Sequence, residues 1–172
     1  VRELGGAMHV FAHNGDLDRV ALDRLASPDS FSPVGETDSE LAFCVLLERL
    51  RPLWRGAAGV PAVEPRREIV ADFAQQLRAF GPANFVYADG DALFAHGHMR
   101  TQADGDIRPP GLHVLYRSCD GAALSFDAQG LRIGSSKDGG AQALVASVPL
   151  TDDETWRPLA TGELLVLRAG HS

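Results

Sequence analysis

The sequence predicts an α+β fold organised around a largely antiparallel sheet. Three observations carry this. Two helical segments stand close together in the first half of the chain. After one early strand, strand-like segments gather from residue 84 onward. No regular β-α-β alternation joins them, as a parallel sheet would require.

Residues 8–13, MHVFAH, read as a strand from their β-branched and aromatic content. Asn14-Gly15 follows, and taken alone this pair signals a tight type I′ turn. A turn-rich polar stretch comes next, with room for a short helix near Val20–Leu25. Thr37 and Glu40 carry the S/T-x-x-E spacing of a capping box. Thr37 is therefore expected at the N-cap, Asp38 at the first helical position, and the helix is expected to run to about Arg51. Leu41 to Leu47 are apolar on nearly every side, so more than one face of this helix is buried. Residues 55–65, RGAAGVPAVEP, read as a loop. In residues 66–81, Ile69, Val70, Phe73, Leu77 and Phe80 share one helical face, and Gly81-Pro82 ends the helix. Residues 84–97 read as strand, Asp89-Gly90 turn, strand. Residues 111–119 predict a further strand, with weaker ones in 121–127 and 130–134. Residues 141–150 and 162–170 close the chain as strands.

Composition removes several function classes. A net charge of −7 lacks the clustered Lys and Arg that neutralise phosphates, so no nucleic-acid partner is expected. No apolar run approaches the roughly 18 residues of a membrane span. Two cysteines, Cys44 and Cys119, make no secreted disulfide framework, and with no signal peptide the expected location is cytoplasmic. GSSKDGG, residues 134–140, has phosphate-loop composition in the wrong order, and there is no G-x-G-x-x-G or G-x-S-x-G. No cofactor is expected. His96 and His98 alternate along a strand, but no third ligand has a telling spacing, so no metal is expected. Asp89, Asp91, Asp104 and Asp106 flank glycines as turn residues and open no EF-hand loop.

Four segments in order carry a resemblance: FAHNGDL, then PVGETDSELAFCVLL about twenty residues later, then NFVYADGDALFA, then PLTDDETWRPLATGELLVL. Together they resemble the class II glutamine amidotransferases of the N-terminal-nucleophile (Ntn) type. The nearest likeness is to the small bacterial branch that consists of the glutaminase domain alone. The resemblance spans nearly all of residues 1–172. It implies a four-layer α-β-β-α sandwich. It also implies a cysteine at the mature N-terminus whose own α-amino group is the general base. The thiolate attacks the glutamine side-chain amide, ammonia leaves, and a thioester is hydrolysed to glutamate.

By the same resemblance Asn14 and Gly15 match the oxyanion hole, through a side-chain amide and a backbone N–H respectively. Thr37-Asp38 match the substrate-binding segment, with the Asp38 carboxylate on the α-ammonium of glutamine. These residue types suit those tasks. An oxyanion needs donors held where negative charge develops. Glycine admits close approach to the backbone and tolerates positive φ. A carboxylate is the natural partner of an ammonium group. Without the resemblance, Asn14-Gly15 reads as a plain turn and Asp38 as a helix-end charge. His13 reads as a structural partner at a strand end, and Trp54 and Trp156 as packing residues.

Position 1 is Val, where the resemblance implies residues already in the middle of the domain. The chain is therefore expected to be the C-terminal two-thirds of a glutamine amidotransferase type-2 domain, incomplete at its N-terminus. The nucleophile and the arginine that grips the α-carboxylate are expected upstream. Neither Cys44, inside the apolar helix, nor Cys119 has a base placed beside it. Such a fragment is expected to be inactive alone, and exposed strand edges would lower its stability. A degenerate, non-catalytic Ntn-fold module stays open as the alternative. Glutamine is the implied ligand. An ammonia-accepting subunit and the oligomeric state are not legible.

Overall fold

Residues 1–26, 31–117, 125–128, 131–134 and 141–169 are described in a computed structural model of the chain, with 125–128 and 131–134 as backbone only. Strand β1 (Arg2–Leu4) turns into β2 (Ala7–Asn14) through Gly5-Gly6, whose φ values of 62° and 80° are the left-handed pair a tight hairpin needs. This corrects the reading of Asn14-Gly15 as a turn. The early hairpin lies at Gly5-Gly6, while Asn14 ends β2 and Gly15 opens the connection to the helices.

Helix α1 (Arg19–Asp23) is capped by Asp18, which accepts from the backbone N–H of Val20 and Ala21. Helix α2 (Asp38–Arg55) begins as the capping spacing predicts: Thr37 Oγ1 accepts from Glu40 N–H at 3.2 Å. The box is only half closed. The Glu40 carboxylate accepts from Val34 N–H, Gly35 N–H and the Arg2 guanidinium instead of turning back on Thr37. Helix α2 outruns its expected end at Arg51 and carries Pro52 in its last turn. Helix α3 (Val63–Leu77) begins inside the stretch read as a loop. Pro65 lies in its first turn, where a missing N–H costs nothing.

The remaining elements are strands: β3 (Asn84–Ala88), β4 (Ala92–His96), β5 (Arg100–Thr101), β6 (Ile107–Arg108), β7 (His113–Arg117), β8 (Ser125–Ala128), β9 (Leu131–Gly134), β10 (Gln142–Ala146), β11 (Arg157–Pro158) and β12 (Leu164–Arg168). The main sheet runs β1-β2-β3-β4-β12, antiparallel throughout, and a second runs β10-β7-β11. β5-β6 and β8-β9 form separate hairpins. The predicted turn at Asp89-Gly90 joins β3 to β4, with Gly90 at φ 88°. Strands β1, β5, β6 and β11 are two or three residues long, too short to leave a period-2 signal.

One face of the main sheet packs on α2 and α3. Phe11, Phe85, Tyr87 and Phe94 meet Phe43, Leu50, Val70 and Phe73, and Phe11 stacks on Phe43 with centroids 5.5 Å apart. The other face sends Val86, Leu93, Ala95 and Leu165 against Leu112, Val114, Val145 and Leu159 of the second sheet and its flanks. The described residues thus form a helical layer and two sheet layers. Toward the β2 side Met8 and Val10 stay exposed on that second face. No described helix is long and apolar enough to cross a membrane.

Arg66 locks α3 to the β3–β4 turn. Its guanidinium is fully buried and bonds Asp89 at 2.6 Å and Asp91 at 2.5 Å. Trp54 and Trp156 are buried, in keeping with packing roles.

Candidate active site

The predicted site residues meet at one end of the main sheet, where β2 stops and α2 starts. Asn14 is the last residue of β2, in register with Asn84 of β3. Thr37 and Asp38, more than twenty residues later, return to the same place because the α2 N-terminus docks there. Asp38 Oδ2 accepts from Leu17 N–H at 2.9 Å, just past Gly15. Asp38 Oδ1 accepts from its neighbour's backbone, Ser39 N–H, at 2.7 Å. A carboxylate offers about four acceptor positions, so Oδ2 keeps one for a further donor. The Asp38 side chain is 19% exposed, open enough to receive one.

His13 fastens this corner. Its side chain is fully buried, with Nε2 3.1 Å from Pro82 O and Nδ1 3.0 Å from Ser39 Oγ. A carbonyl oxygen only accepts, so Nε2 carries the hydrogen, while the single Ser39 hydroxyl hydrogen has two acceptors in reach, His13 Nδ1 and, at 3.2 Å, Asp38 Oδ1. His13 therefore works as a structural partner at the strand end, as its position predicts. It stands 3.9 Å from Asp38 Oδ2.

Gly15 does not take a positive φ; that permission is used elsewhere, at Gly5, Gly6, Gly81, Gly90, Gly105 and Gly162. The demand for glycine at 15 is steric. A Cβ there would lie 1.9 Å from Pro82 O and 2.9 Å from His13 Nε2. Asn14 sends its side chain to the opposite face of the sheet from His13, where Nδ2 donates to Ser147 Oγ at 2.8 Å. The two predicted clusters thus share one sheet end but leave it on different faces.

A cavity of about 510 Å³ opens on the helical side, lined by Val1, Arg2, Phe11, Val34, Thr37, Ser39, Glu40 and Phe43. It takes in Thr37 and the neighbour of Asp38, but not Asn14 or Gly15. The Val34 and Gly35 N–H groups, then Arg2, hold the Glu40 carboxyl below its usual range.

Burial lowers His96 to about 4, and its ring lies between Ala83 O and the Arg78 guanidinium. His98 does not continue the strand as the alternation predicts: β4 ends at His96, and His98 lies two residues beyond it with its ring 6.5 Å from that of His96. Among the described residues no group of three or more His, Cys, Asp or Glu could hold a metal. Cys44 is buried in α2 and burial raises its thiol, the reverse of an activated nucleophile. Cys119, and all but the first residue of the 134–140 segment, lie outside the described residues.

A family model described as "Glutamine amidotransferases class-II" matches residues 1–172. The chain belongs to that family. Proteins named "Putative glutamine amidotransferase" from Haemophilus influenzae and Escherichia coli are 28% and 30% identical to this class-II chain. The alignments cover 99% and 94% of it, but only 53% and 58% of those proteins. The chain thus spans somewhat over half the length of the curated relatives it matches. A crystal structure titled as a predicted glutamine amidotransferase from Pseudomonas aeruginosa superposes with a TM-score of 0.76 at 30% identity, covering 99% of this chain and 61% of that one.

Residue patterns alone missed three members of the class-II chain's corner. Ser39, Asn84 and Ser147 all bond predicted residues or their neighbours. Asn84 had a visible signal, an amide at the head of a strand that is otherwise apolar. Ser147 had none, since 133 residues separate it from Asn14.

Proposed function

We propose that this corner is the glutamine-handling part of a class II amidotransferase site, which hydrolyses the glutamine side-chain amide through a cysteinyl thioester to glutamate and ammonia. The observation that carries the reading is the convergence of the β2 end with the α2 start, where Leu17 N–H bonds Asp38. Glutamine lies across the end of β2. Its α-ammonium bonds the free acceptor position of Asp38 Oδ2, and its side-chain amide reaches Asn14 and Gly15. As the thiolate adds, the carbonyl oxygen gains a full negative charge between the Asn14 Nδ2–H and the Gly15 N–H. Collapse of that adduct expels ammonia and leaves the thioester, which water cleaves to free acid and thiol. The nucleophile on this reading is the N-terminal cysteine that the resemblance implies, outside residues 1–172; Cys44, buried with a raised thiol, does not suit the role. On this reading the complete domain has a fourth, helical layer over the second sheet, and the protein works in the cytoplasm. Its ammonia is released or handed to another subunit.

Glutamate release by the full-length protein tests the reading. Asn14→Ala is expected to lower kcat by about 10²–10³-fold, the usual effect of losing one oxyanion donor. Asp38→Asn removes a charge-assisted bond of about 1.5–3 kcal/mol, so KM rises roughly 10–100-fold. Wild-type kinetics in both variants would sink the proposal. A full-length protein that binds glutamine without releasing glutamate would favour a non-catalytic module instead.

A further inference from the structure

Two polar side chains to which the resemblance gives no role bond directly to Asn14. The first is Asn84, fully buried at the head of β3. Its Nδ2 donates to Asn14 O at 3.0 Å and to Met99 O at 2.7 Å, while its Oδ1 accepts from His98 N–H at 2.7 Å. Three bonds fix which end of this amide is nitrogen, because flipping it would set donor against donor and oxygen against carbonyl. The packing is close: a Cβ on Gly111 would fall 1.6 Å from Asn84 Oδ1.

The carbonyl that Asn84 holds belongs to the same peptide unit as the Gly15 N–H. A trans peptide is planar, so its C=O and N–H point in opposite directions. Anchoring Asn14 O on Asn84 therefore aims the Gly15 N–H away from Asn84. The second side chain is Ser147, just after β10. Its Oγ accepts one Nδ2 hydrogen of Asn14 at 2.8 Å. The remaining Nδ2 hydrogen is then held in a defined direction, in the plane of an amide that can no longer rotate freely.

We propose that Asn84 and Ser147 are the positioning residues of the oxyanion hole, Asn84 for the Gly15 backbone donor and Ser147 for the Asn14 side-chain donor. The assignment rests on the glutamine-hydrolysis reading above. It has a structural corollary. Asn84 acts within the main sheet, whereas Ser147 follows β10 of the second sheet, so the Asn14 side-chain donor is aimed only when the two sheets are packed together. Oxyanion stabilisation depends on donors placed beforehand rather than recruited during the reaction. Loosening either anchor thus weakens the transition state more than the bound substrate, and the defect falls on kcat.

The test is glutamate release by the full-length protein carrying Ser147→Ala, Ser147→Thr, Asn84→Asp or Asn14→Ala, with a melting curve for each. Ser147→Ala is expected to lower kcat about 3–10-fold, the worth of one ordinary hydrogen bond, with KM within about twofold and an unchanged melting temperature. Ser147→Thr keeps the hydroxyl and is expected to restore most of the loss. Asn84→Asp forfeits both donors and is expected to lower kcat at least about 10-fold. Should that buried variant fail to fold, the two variants at half-buried Ser147 decide alone. A Ser147→Ala kcat equal to wild type, or a loss that Thr does not restore, overturns the assignment while an inactive Asn14→Ala leaves the reaction intact. Full activity in Asn14→Ala would instead overturn the reaction itself, and this assignment with it.

Discussion

Gly15→Ala is the sharpest perturbation the structure offers, because the two nearest atoms in the clash are backbone. The added methyl would sit 1.9 Å from Pro82 O and 2.8 Å from Pro82 C. Ordinary contact begins at 3.4 Å, so the β2 end and the 81–82 turn must separate by about 1.5 Å. Overpacking of this kind costs about 1–3 kcal/mol. The displaced carbonyl is also the acceptor of His13 Nε2–H, and losing that bond adds about 1 kcal/mol. A chain of this size loses roughly 2–4 °C of Tm per kcal/mol, so the expected fall is about 4–16 °C.

The control is Gly59→Ala, where the new methyl meets nothing within 4 Å and the backbone is not in the left-handed region. Its effect belongs within about 0.5 kcal/mol, or roughly 2 °C. Thermal melts of the two variants beside wild type make the comparison. Equal melting temperatures for Gly15→Ala and Gly59→Ala would refute the claim that residue 15 must be glycine for packing.

Arg66→Met leaves Asp89 buried and unpaired, so a loss of about 3–5 kcal/mol is expected in urea unfolding, whereas Arg49→Met breaks a partly exposed pair with Asp72 and belongs below about 1 kcal/mol. Acid stability follows from His96, whose folded pKa is pushed down to about 4 by burial. Its contribution is complete above about pH 6.5, where the unfolded ring is also neutral, and is lost as pH falls toward 4. The full span is worth about 3 kcal/mol, and a His96→Gln variant should show a smaller drop in Tm between pH 7.5 and 4.5 than wild type. Thr37→Ala removes the side-chain cap of α2 and is expected to cost about 1 kcal/mol, measured the same way.

Local rules read well where one segment decides its own structure. The helix starting at Thr37-Asp38 was legible because a cap is a matter of four consecutive residues. The Asp89-Gly90 hairpin was legible for the same reason, with a left-handed glycine between two strand patterns. Reading failed where the deciding partner was distant. Asn14-Gly15 obeys the turn rule in sequence yet makes no hairpin, because β2 continues into pairing with β3 and the Pro82 carbonyl fills the space a Cβ would need. Arg66 stands at helical spacing from Val70, Phe73 and Leu77, and a charge on that face is buried because Asp89 and Asp91 come to it from the hairpin. The candidate site followed the same division: local spacing gave Thr37 and Asp38 as a helix start, the resemblance alone gave them a binding role, and Ser147 and Asn84 became visible only through their bonds to Asn14.

This division bears on how the corner could do chemistry. A turn built only from Asn14 and Gly15 would aim its amide groups by local torsions, which are soft. Here the same two residues are held by three separate parts of the chain. Pro82 presses on Gly15, Asn84 grips the Asn14 carbonyl, and Ser147 takes one hydrogen of the Asn14 amide. Each restraint acts on a different atom, so no single torsion can relax all three. Donors fixed in this way need no reorganisation when charge appears between them, which is the condition under which such donors contribute most. The glycine that resembled a turn signal is therefore better understood as the thin point in a packed junction: the absence of a side chain lets the 81–82 backbone approach, and that approach helps set the peptide plane that carries the Gly15 N–H.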